Sequence, residues 1–243
     1  MNAVVTAGGT LDGEYAALAG TRVKALAAIR GKSMLDRAIE AAYDAGAARV
    51  AVVGGQEVAA ACGSRVDAVI DASPDGSQNV RRALNAWPQD DALLYLTSDM
   101  PYVTGVALRE FLTRVPAGAL AVSLTSYIAF AARFPGAPPF GIALGGERVV
   151  NGGAFVLPPG SAQRVAGAAA RFFEARKSRW AMVRWLGPVP IVRFAIGRLS
   201  IAALETYAGG IAGVPARAVR DCAPELAYDA DLVAEYRYAC ERV

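Results

Sequence analysis

The sequence predicts an α/β fold in which a mostly parallel β-sheet is covered by helices on both faces. Short apolar runs alternate with amphipathic helical patterns through the first half of the chain, which is typical of βαβ units. The predicted strands are continuously apolar, as expected for strands buried on both faces. The 243 residues are 54% hydrophobic and 19% charged, which is enough to form an extensive core. No linker or repeat divides the chain, so we expect a single domain over residues 1–243.

The first 125 residues show the clearest alternation of elements. Strands are predicted at residues 3–6, 49–53, 68–71, 92–97 and 119–125. Helices are predicted at residues 33–46, 57–61, 75–87 and 105–114. Ser33 is a suitable N-cap for the first helix and Gly46 a suitable end, because serine accepts a backbone hydrogen bond and glycine tolerates the left-handed conformation.

The pattern becomes less regular after residue 125. Residues 135–139 are predicted to form a loop, and residues 149–157 a strand interrupted by a turn at Asn151, Gly152 and Gly153. A long helix is expected at 161–179, followed by further helices up to residue 207. A strand at 216–219 and a helix from Leu232 complete the prediction.

The absence of histidine restricts the chemistry open to this chain. With no histidine, nucleophilic catalysis by Ser-His or Cys-His pairs and histidine zinc sites are excluded. The cysteines, Cys62, Cys222 and Cys240, form no CxxC pattern, and we interpret them as ordinary thiols in a reducing compartment. Carboxylates, lysines, arginines, backbone amides and hard metal ions remain as the candidate chemical groups.

Charge and hydropathy favour a cytoplasmic protein that binds small anions. The net charge is +3 and the pI about 8.8, and no block of basic residues suggests nucleic-acid binding. The N-terminus lacks the pattern of a signal peptide, and no continuously apolar stretch reaches the ~18 residues of a membrane-spanning helix without a charge. Residues 176–186 combine basic residues with tryptophans and could lie on a membrane surface or bind an anionic, partly apolar acceptor. We favour core or subunit contacts for the tryptophans and a solvated face for the arginines.

Two groups of residues near the first predicted strand are candidates for binding phosphates, because ligands of open α/β sheets bind where strands end. After residue 6, Gly8 and Gly9 would let backbone amides approach an anion; the alternative is a tight turn. Lys24 could reach phosphates held by that loop; the alternative is a solvated surface lysine. No GxGxxG motif is present, and Leu26 stands where a Walker A loop has its first glycine.

Aspartates supply a third candidate group. Asp99 directly follows the predicted strand 92–97, and Mg²⁺ needs only one or two protein carboxylates beside phosphate oxygens and water. The alternative for Asp99 is to cap the turn that follows. Asp229 or Asp231 could complete a metal site, or cap the last predicted helix.

Together these motifs resemble the MobA-like NTP transferases, which include molybdenum-cofactor nucleotidyltransferases and, more distantly, cytidylyl- and sugar-nucleotide transferases. The matching motifs, spread over nearly the whole chain, are Ala7-Gly8-Gly9, Lys24-Ala25-Leu26, Gly31-Lys32-Ser33-Met34-Leu35, Gly76-Ser77 with Asn79, Ser98-Asp99-Met100-Pro101 and Asp229-Ala230-Asp231. The resemblance implies a three-layer α/β/α sandwich with a Rossmann-like, mostly parallel central sheet, of the nucleotide-diphospho-sugar transferase or GT-A-like type. It also implies a Mg²⁺-dependent nucleotidyltransferase that joins an NTP to a small phosphorylated acceptor and releases pyrophosphate.

The resemblance also assigns roles to residues. Lys24 and Asp99 would be catalytic, and Asp99 would bind Mg²⁺ together with Asp231 or Asp229. The residues expected to hold the nucleotide are Ala7, Gly8, Gly9, Thr10, Lys24, Gly76, Ser77, Asn79 and Ser98. An acceptor phosphate is already anionic near neutral pH, so this reaction needs no histidine as a general base.

The chain departs from the family pattern in two places. Residues 10–15 replace the usual G-x-S/G-x-R run, and its arginine has no equivalent other than Arg22; the C-terminal motif lacks the Thr-Pro-Glu-Asp that often follows. Two alternatives stay open: a GT-A glycosyltransferase that uses a sugar nucleotide, although only Asp99 is available where a DxD motif is expected, and a non-catalytic nucleotide-binding regulatory protein. We expect residues of about 160–208 to form a helical insertion on the acceptor side or at the interface of a homo-oligomer.

Overall fold

The computed structural model describes residues 1–88, 90–138, 140–175 and 187–242. The strands within these ranges are β1 Asn2–Thr6, β2 Ala28–Ile29, β3 Lys32–Ser33, β4 Val50–Gly54, β5 Ala68–Asp71, β6 Leu93–Thr97, β7 Leu120–Ser126, β8 Ile142–Leu144, β9 Glu147–Leu157 and β10 Ala216–Val219. The α-helices are α1 Gly13–Ala19, α2 Met34–Asp44, α3 Gln56–Cys62, α4 Gly76–Leu84, α5 Gly105–Thr113, α6 Tyr127–Arg133, α7 Ala162–Ala175, α8 Pro188–Ala195, α9 Ile201–Ala212 and α10 Val233–Glu241. Short 3-10 helices form at Lys24–Leu26 and Pro224–Leu226.

Eight strands form one mixed sheet in the order β10-β7-β9-β6-β1-β4-β5, with β8 paired to β9. The pairs of β1 with β4 and β6, of β4 with β5, and of β7 with β10 are parallel. Among the described strands of this sheet, β9 alone runs opposite to β1, and it pairs antiparallel with β6, β7 and β8. The predicted mostly parallel sheet is therefore confirmed, and β1, β4 and β6 all end at the same edge.

Helices cover both faces of the sheet, which confirms the three-layer sandwich. On β1, the side chains of Ala3 and Val5 pack in one buried cluster with residues of α2, α3 and α5. Val4 points to the opposite face and packs with residues of α4, α7 and α9. The continuous burial of Ala3, Val4 and Val5 is the physical reason for their continuous apolar sequence.

Most predicted elements of the first half are confirmed. Helix α2 begins directly after Ser33, whose Oγ accepts a hydrogen bond from the backbone N–H of Asp36 at 3.0 Å. The predicted strands 68–71 and 216–219 coincide with β5 and β10. The structure adds α1 and the short hairpin of β2 and β3, which lie in a stretch where no element was predicted.

The prediction of a turn within the strand 149–157 is wrong, because β9 extends from Glu147 to Leu157. The predicted irregularity is present in another form, since the register of β9 with β7 shifts between Asn151 and Phe155. Gly152 and Gly153 do not form a turn there. A Cβ on Gly152 would collide with Ser123 Oγ and the backbone of Leu226, and a Cβ on Gly153 would collide with Thr97 Oγ1. The two glycines therefore allow neighbouring chain segments to approach β9 closely.

The predicted helical region of about 160–208 contains α7, α8 and α9. The predicted helix 161–179 corresponds to α7 up to Ala175; its remainder, and the basic tryptophan-containing segment 176–186, lie outside the described residues. Helix α6 and strand β8 were not predicted. Among the residues that the structure describes, no helix is both long and apolar enough to cross a membrane.

Candidate active site

The ends of β1 and β6 place two of the predicted motifs side by side. The backbone N–H of Ser98 donates to the carbonyl of Thr6 at 3.1 Å, and that of Ala7 donates to Val53 at 2.8 Å. Ser98 is buried, while the next residue, Asp99, has a side chain that is 23% exposed. The carboxylate of Asp99 is thus held at the sheet edge where β1 continues into the loop that contains Gly8, Gly9 and Thr10, which we call the glycine loop.

The glycine loop and Lys24 form one structural unit. The N–H of Lys24 donates to the carbonyl of Gly9 at 3.0 Å, and Thr10 forms an antiparallel bridge with Val23. A Cβ on Gly9 would lie 3.3 Å from Lys24 Cβ and 3.4 Å from Lys24 Cδ. Glycine at this position therefore lets the stem of the lysine lie against the loop, while Gly8, Gly9 and Thr10 stay exposed.

Lys24 joins two carboxylates that are far apart in the sequence. Its Nζ lies 2.7 Å from Asp99 Oδ2 and also contacts Asp231 Oδ1. Burial opposes the charge on Lys24, but the two aspartates outweigh burial and raise the pKa of Lys24 above its usual value. Burial alone would raise the pKa of Asp99. The charge and hydrogen bond of Lys24, with a further hydrogen bond from Thr97, outweigh burial and lower the pKa of Asp99 overall.

The C-terminal motif is held in place through the backbone of Ala230. The Ala230 N–H donates to the carbonyl of Asp99 at 3.0 Å, and the Ala230 carbonyl accepts a hydrogen bond from the Tyr15 hydroxyl at 2.7 Å. Both backbone polar groups of the residue between Asp229 and Asp231 are therefore satisfied by distant partners. Tyr15 was not among the predicted site residues, since it lies in the segment that departs from the family pattern.

The two C-terminal aspartates occupy different environments. Asp231 contacts Lys24 and its side chain is 61% exposed. Asp229 is more enclosed: burial, followed by the charges of Asp231, Asp99 and Glu235, raises the pKa of Asp229 to about 7. Neither aspartate is the N-cap of α10, which is Leu232; its N–H donates to Glu235 Oε2 at 2.6 Å. The predicted alternative of a helix cap is therefore wrong.

Among the described residues, no group of three or more acidic, histidine or cysteine side chains is arranged to hold a metal ion. The site instead offers the carboxylates of Asp99 and Asp231, which converge on the ammonium of Lys24. The positively charged ammonium group of Lys24 thus lies between these two side chains. Two carboxylates are sufficient for Mg²⁺ when phosphate oxygens and water complete the coordination, so the donor set fits a hard divalent ion.

Asn79, one of the predicted residues on α4, lies beside the glycine loop. A Cβ on Gly8 would lie 3.0 Å from Asn79 Nδ2. Asn79 accepts from the N–H of Ser73 at 2.6 Å and donates to the carbonyl of Ser73 at 2.8 Å. The buried hydroxyl of Ser77 donates to Asp75 Oδ2 at 2.9 Å. Ser77 and Asn79 therefore shape the loop that precedes α4.

The loop with Gly8 and Gly9, Lys24 and Asp99 therefore lie together at one edge of the sheet. The chain matches the model of the MobA-like NTP transferase domain over residues 3–229. The chain belongs to the MobA-like NTP transferase family. The GT-A-like fold and the general class of NTP transferase follow from this membership.

Solved structures show the same architecture. A hypothetical transferase from Thermus thermophilus is 28% identical to this NTP transferase, with a TM-score of 0.85, and the match covers 97% of this chain and 100% of that chain. A nucleotidyl transferase from Methanothermobacter thermautotrophicus is 18% identical with a TM-score of 0.57, covering 99% and 95%. Rv0371c from Mycobacterium tuberculosis, in complex with manganese, is 19% identical with a TM-score of 0.53, covering 100% and 98%. None of the curated proteins matches this chain.

Proposed function

We propose that this protein is a Mg²⁺-dependent nucleotidyltransferase that joins an NTP to a small phosphorylated acceptor and releases pyrophosphate. Family membership supports the reaction class. The observation that carries the proposal is the position of Lys24, which lies against Gly9 of the glycine loop and contacts both Asp99 and Asp231. A phosphate-binding loop, a cation and two carboxylates are thereby in reach of one another, as phosphoryl chemistry requires.

In this proposal Asp99 and Asp231 hold the metal ion. Their oxygen atoms already converge on a positive charge, and carboxylates are ligands suited to Mg²⁺. When bound, the ion would neutralise charge on the phosphates and orient them. Rv0371c, which shares the fold, is in complex with manganese; for this chain, the metal is proposed on the basis of its own carboxylates.

The remaining predicted residues form the proposed nucleotide site. The exposed backbone of Gly8, Gly9 and Thr10 would donate hydrogen bonds to phosphate oxygens, with Ala7 near the base. Gly76 would line the nucleoside, while Ser77 and Asn79 would act through the loop that they hold. Lys24 would balance charge that develops on the phosphates. The acceptor phosphate supplies its own negative charge, so positioning and charge neutralisation suffice.

The extent of the family match, residues 3–229, also supports a single domain over residues 1–243. We further propose a cytoplasmic location, in keeping with thiols of which Cys62 and Cys222 are buried and all three are unpaired. Oligomerisation through the region of about 160–208 stays a prediction.

The proposal can be tested by measuring melting temperatures with ATP, GTP, CTP and UTP, each with and without Mg²⁺. A ligand that binds the native state raises its melting temperature. We expect Mg²⁺-dependent stabilisation by at least one NTP in the wild type, and its loss in Asp99→Asn. Glu40→Gln is the matched control, because Glu40 pairs with Lys32 at an exposed position and should keep the wild-type response.

Pyrophosphate release with a panel of phosphorylated acceptors then distinguishes the alternatives. Release with one acceptor supports the nucleotidyltransferase. Stabilisation by sugar nucleotides but by no NTP would instead support a glycosyltransferase. NTP binding without release for any acceptor would support a regulatory nucleotide-binding protein.

A further inference from the structure

We propose that Lys24 is a displaceable counter-ion: it contacts both Asp99 and Asp231 and must leave them before a metal ion binds, which couples metal binding to nucleotide binding. This inference rests on the proposed function and adds regulation of the same site. Its consequence is that the metal-free enzyme has low affinity for a divalent cation until a triphosphate is present.

The geometry makes the two cations mutually exclusive. Lys24 Nζ contacts Oδ2 of Asp99 and Oδ1 of Asp231, so the ammonium group lies between the two carboxylates that would hold a metal ion. The side chain of Lys24 is only 12% exposed, so its charge is poorly screened by water. A divalent ion placed between the same oxygens would lie at contact distance from the ammonium and would be strongly repelled. The metal therefore binds only after Nζ moves.

Moving Nζ without a new partner is unfavourable. The ammonium would lose both carboxylates while remaining largely enclosed, and an enclosed charge without a partner is strongly unfavourable. That cost is subtracted from the affinity of the metal alone. Weak binding of the metal alone therefore follows from the ion pairs of Lys24 with Asp99 and Asp231.

A triphosphate in the glycine loop would supply the new partner. The backbone N–H of Lys24 is fixed to the Gly9 carbonyl, and the lysine stem lies against Gly9. Only the end of the side chain has to move, because the stem already runs along the loop that would hold the phosphates. A lysine side chain has a flexible stem and a compact charge that suit this motion.

The two binding events must then be coupled in both directions. If a triphosphate releases the carboxylates for the metal, the metal must raise the affinity for the triphosphate by the same factor. Couplings between ligand sites are typically about 5–150-fold. A direct bond between metal and phosphate would add to this factor, so the contribution of Lys24 has to be measured with the metal alone.

The test is the Mn²⁺ affinity of the full-length protein without nucleotide, measured by electron paramagnetic resonance. Lys24→Gln removes the charge, and we expect it to bind Mn²⁺ at least ~5-fold more tightly than the wild type. Lys24→Arg keeps a positive charge and should bind no more tightly than the wild type. Lys32→Gln removes a lysine of an exposed ion pair with Glu40 and is the control for net charge.

Equal Mn²⁺ affinity of the wild type and Lys24→Gln would overturn the inference, as would equal gains in Lys24→Gln and Lys32→Gln. If Lys24→Gln loses stability, the comparison is made with Lys24→Met, and a gain confined to the neutral variants at position 24 supports the inference. Adding Asp99→Asn to Lys24→Gln should abolish the gain, which assigns it to this site. Failure of the proposed function is read separately, as the absence of NTP binding by the wild type.

Discussion

The glycine-loop side of the candidate active site, with Gly8, Gly9 and Asp99, is positioned by the strands β1 and β6, whereas the C-terminal side, residues 229–231, is held by hydrogen bonds between distant residues. Gly8, Gly9 and Asp99 lie two or three residues beyond the ends of β1 and β6. Asp231 reaches the same place only because Ala230 bonds to both Asp99 and Tyr15. The first arrangement is a consequence of sheet topology; the second depends on a few individual contacts and should be easier to disrupt.

The close packing around β9 gives the largest expected effect on stability. Gly152→Ala should lower the free energy of unfolding by about 1–3 kcal/mol, because the new Cβ would meet Ser123 Oγ and the backbone of Leu226. Urea unfolding measures this change. Gly210→Ala in α9 is the control: its Cβ meets nothing within 4 Å, so it should stabilise the protein by about 0.5–1 kcal/mol. Equal effects at the two positions would refute the close-packing explanation of β9.

Tyr15→Phe removes one of the two hydrogen bonds that hold Ala230, and with it the C-terminal side of the candidate site, in place. The variant leaves the buried carbonyl of Ala230 without its hydroxyl donor, which should cost about 1–2 kcal/mol of stability. It should also weaken binding of Mn²⁺ with NTP, since Asp231 loses its support, while NTP binding in the presence of a chelator changes less. Isothermal titration calorimetry measures the binding of Mn²⁺ with NTP and the binding of NTP with a chelator separately. Tyr43→Phe, which removes an exposed hydroxyl contact with Asp67, should leave both binding affinities unchanged. A loss of Mn²⁺ binding in Tyr43→Phe similar to that in Tyr15→Phe would contradict the account.

The pH dependence of the free energy of unfolding tests the enclosed environment of Asp229, which differs from that of Asp231. The pKa of Asp229 is raised to about 7 from 3.8, so the folded state holds the proton more tightly than the unfolded state. The ionisation of Asp229 therefore does not affect the free energy of unfolding below about pH 4. It lowers the free energy of unfolding progressively as the pH rises from about 4 to about 7. With a chelator present, Asp229→Asn should be more stable than the wild type by about 1–2 kcal/mol at pH 8 after allowance for solvent screening.

The control for this prediction is the same pair of proteins at low pH. Below about pH 4 the advantage of Asp229→Asn should vanish, because Asp229 is then protonated in both the folded and the unfolded state. An advantage of equal size at both pH values, measured by urea unfolding, would show that the effect does not come from the charge of Asp229.

The sequence was sufficient for the elements whose signal is local. Strands such as β1 and β6 were predicted because burial on both faces requires a continuous apolar run, and α2 because Ser33 provides a cap. The continuity of β9 was not predicted, because a glycine pair is equally typical of a turn and of a close approach between backbones. Which applies depends on Ser123, Thr97 and Leu226, and no local pattern reveals those neighbours.

The same limit applies to the candidate site. Asp99 could be predicted from its position after a strand, and the family resemblance pointed to Asp229 or Asp231. Only the structure brings Asp231 into contact with Lys24, since the choice depends on the two hydrogen bonds of Ala230. Tyr15 was missed because its partner, Ala230, lies at the other end of the chain and a tyrosine near the glycine loop carries no recognisable signal.

The most direct test of the account is the affinity for Mn²⁺ in the presence of saturating NTP, compared among the wild type, Asp231→Asn and Asp229→Asn. The central claim is that Asp99 and Asp231, brought together around Lys24, form one cation site. We expect Asp231→Asn to lose at least ~10-fold in Mn²⁺ affinity, about 1.4 kcal/mol, and Asp229→Asn to lose much less. A larger loss in Asp229→Asn, or no loss in Asp231→Asn, would contradict the claim.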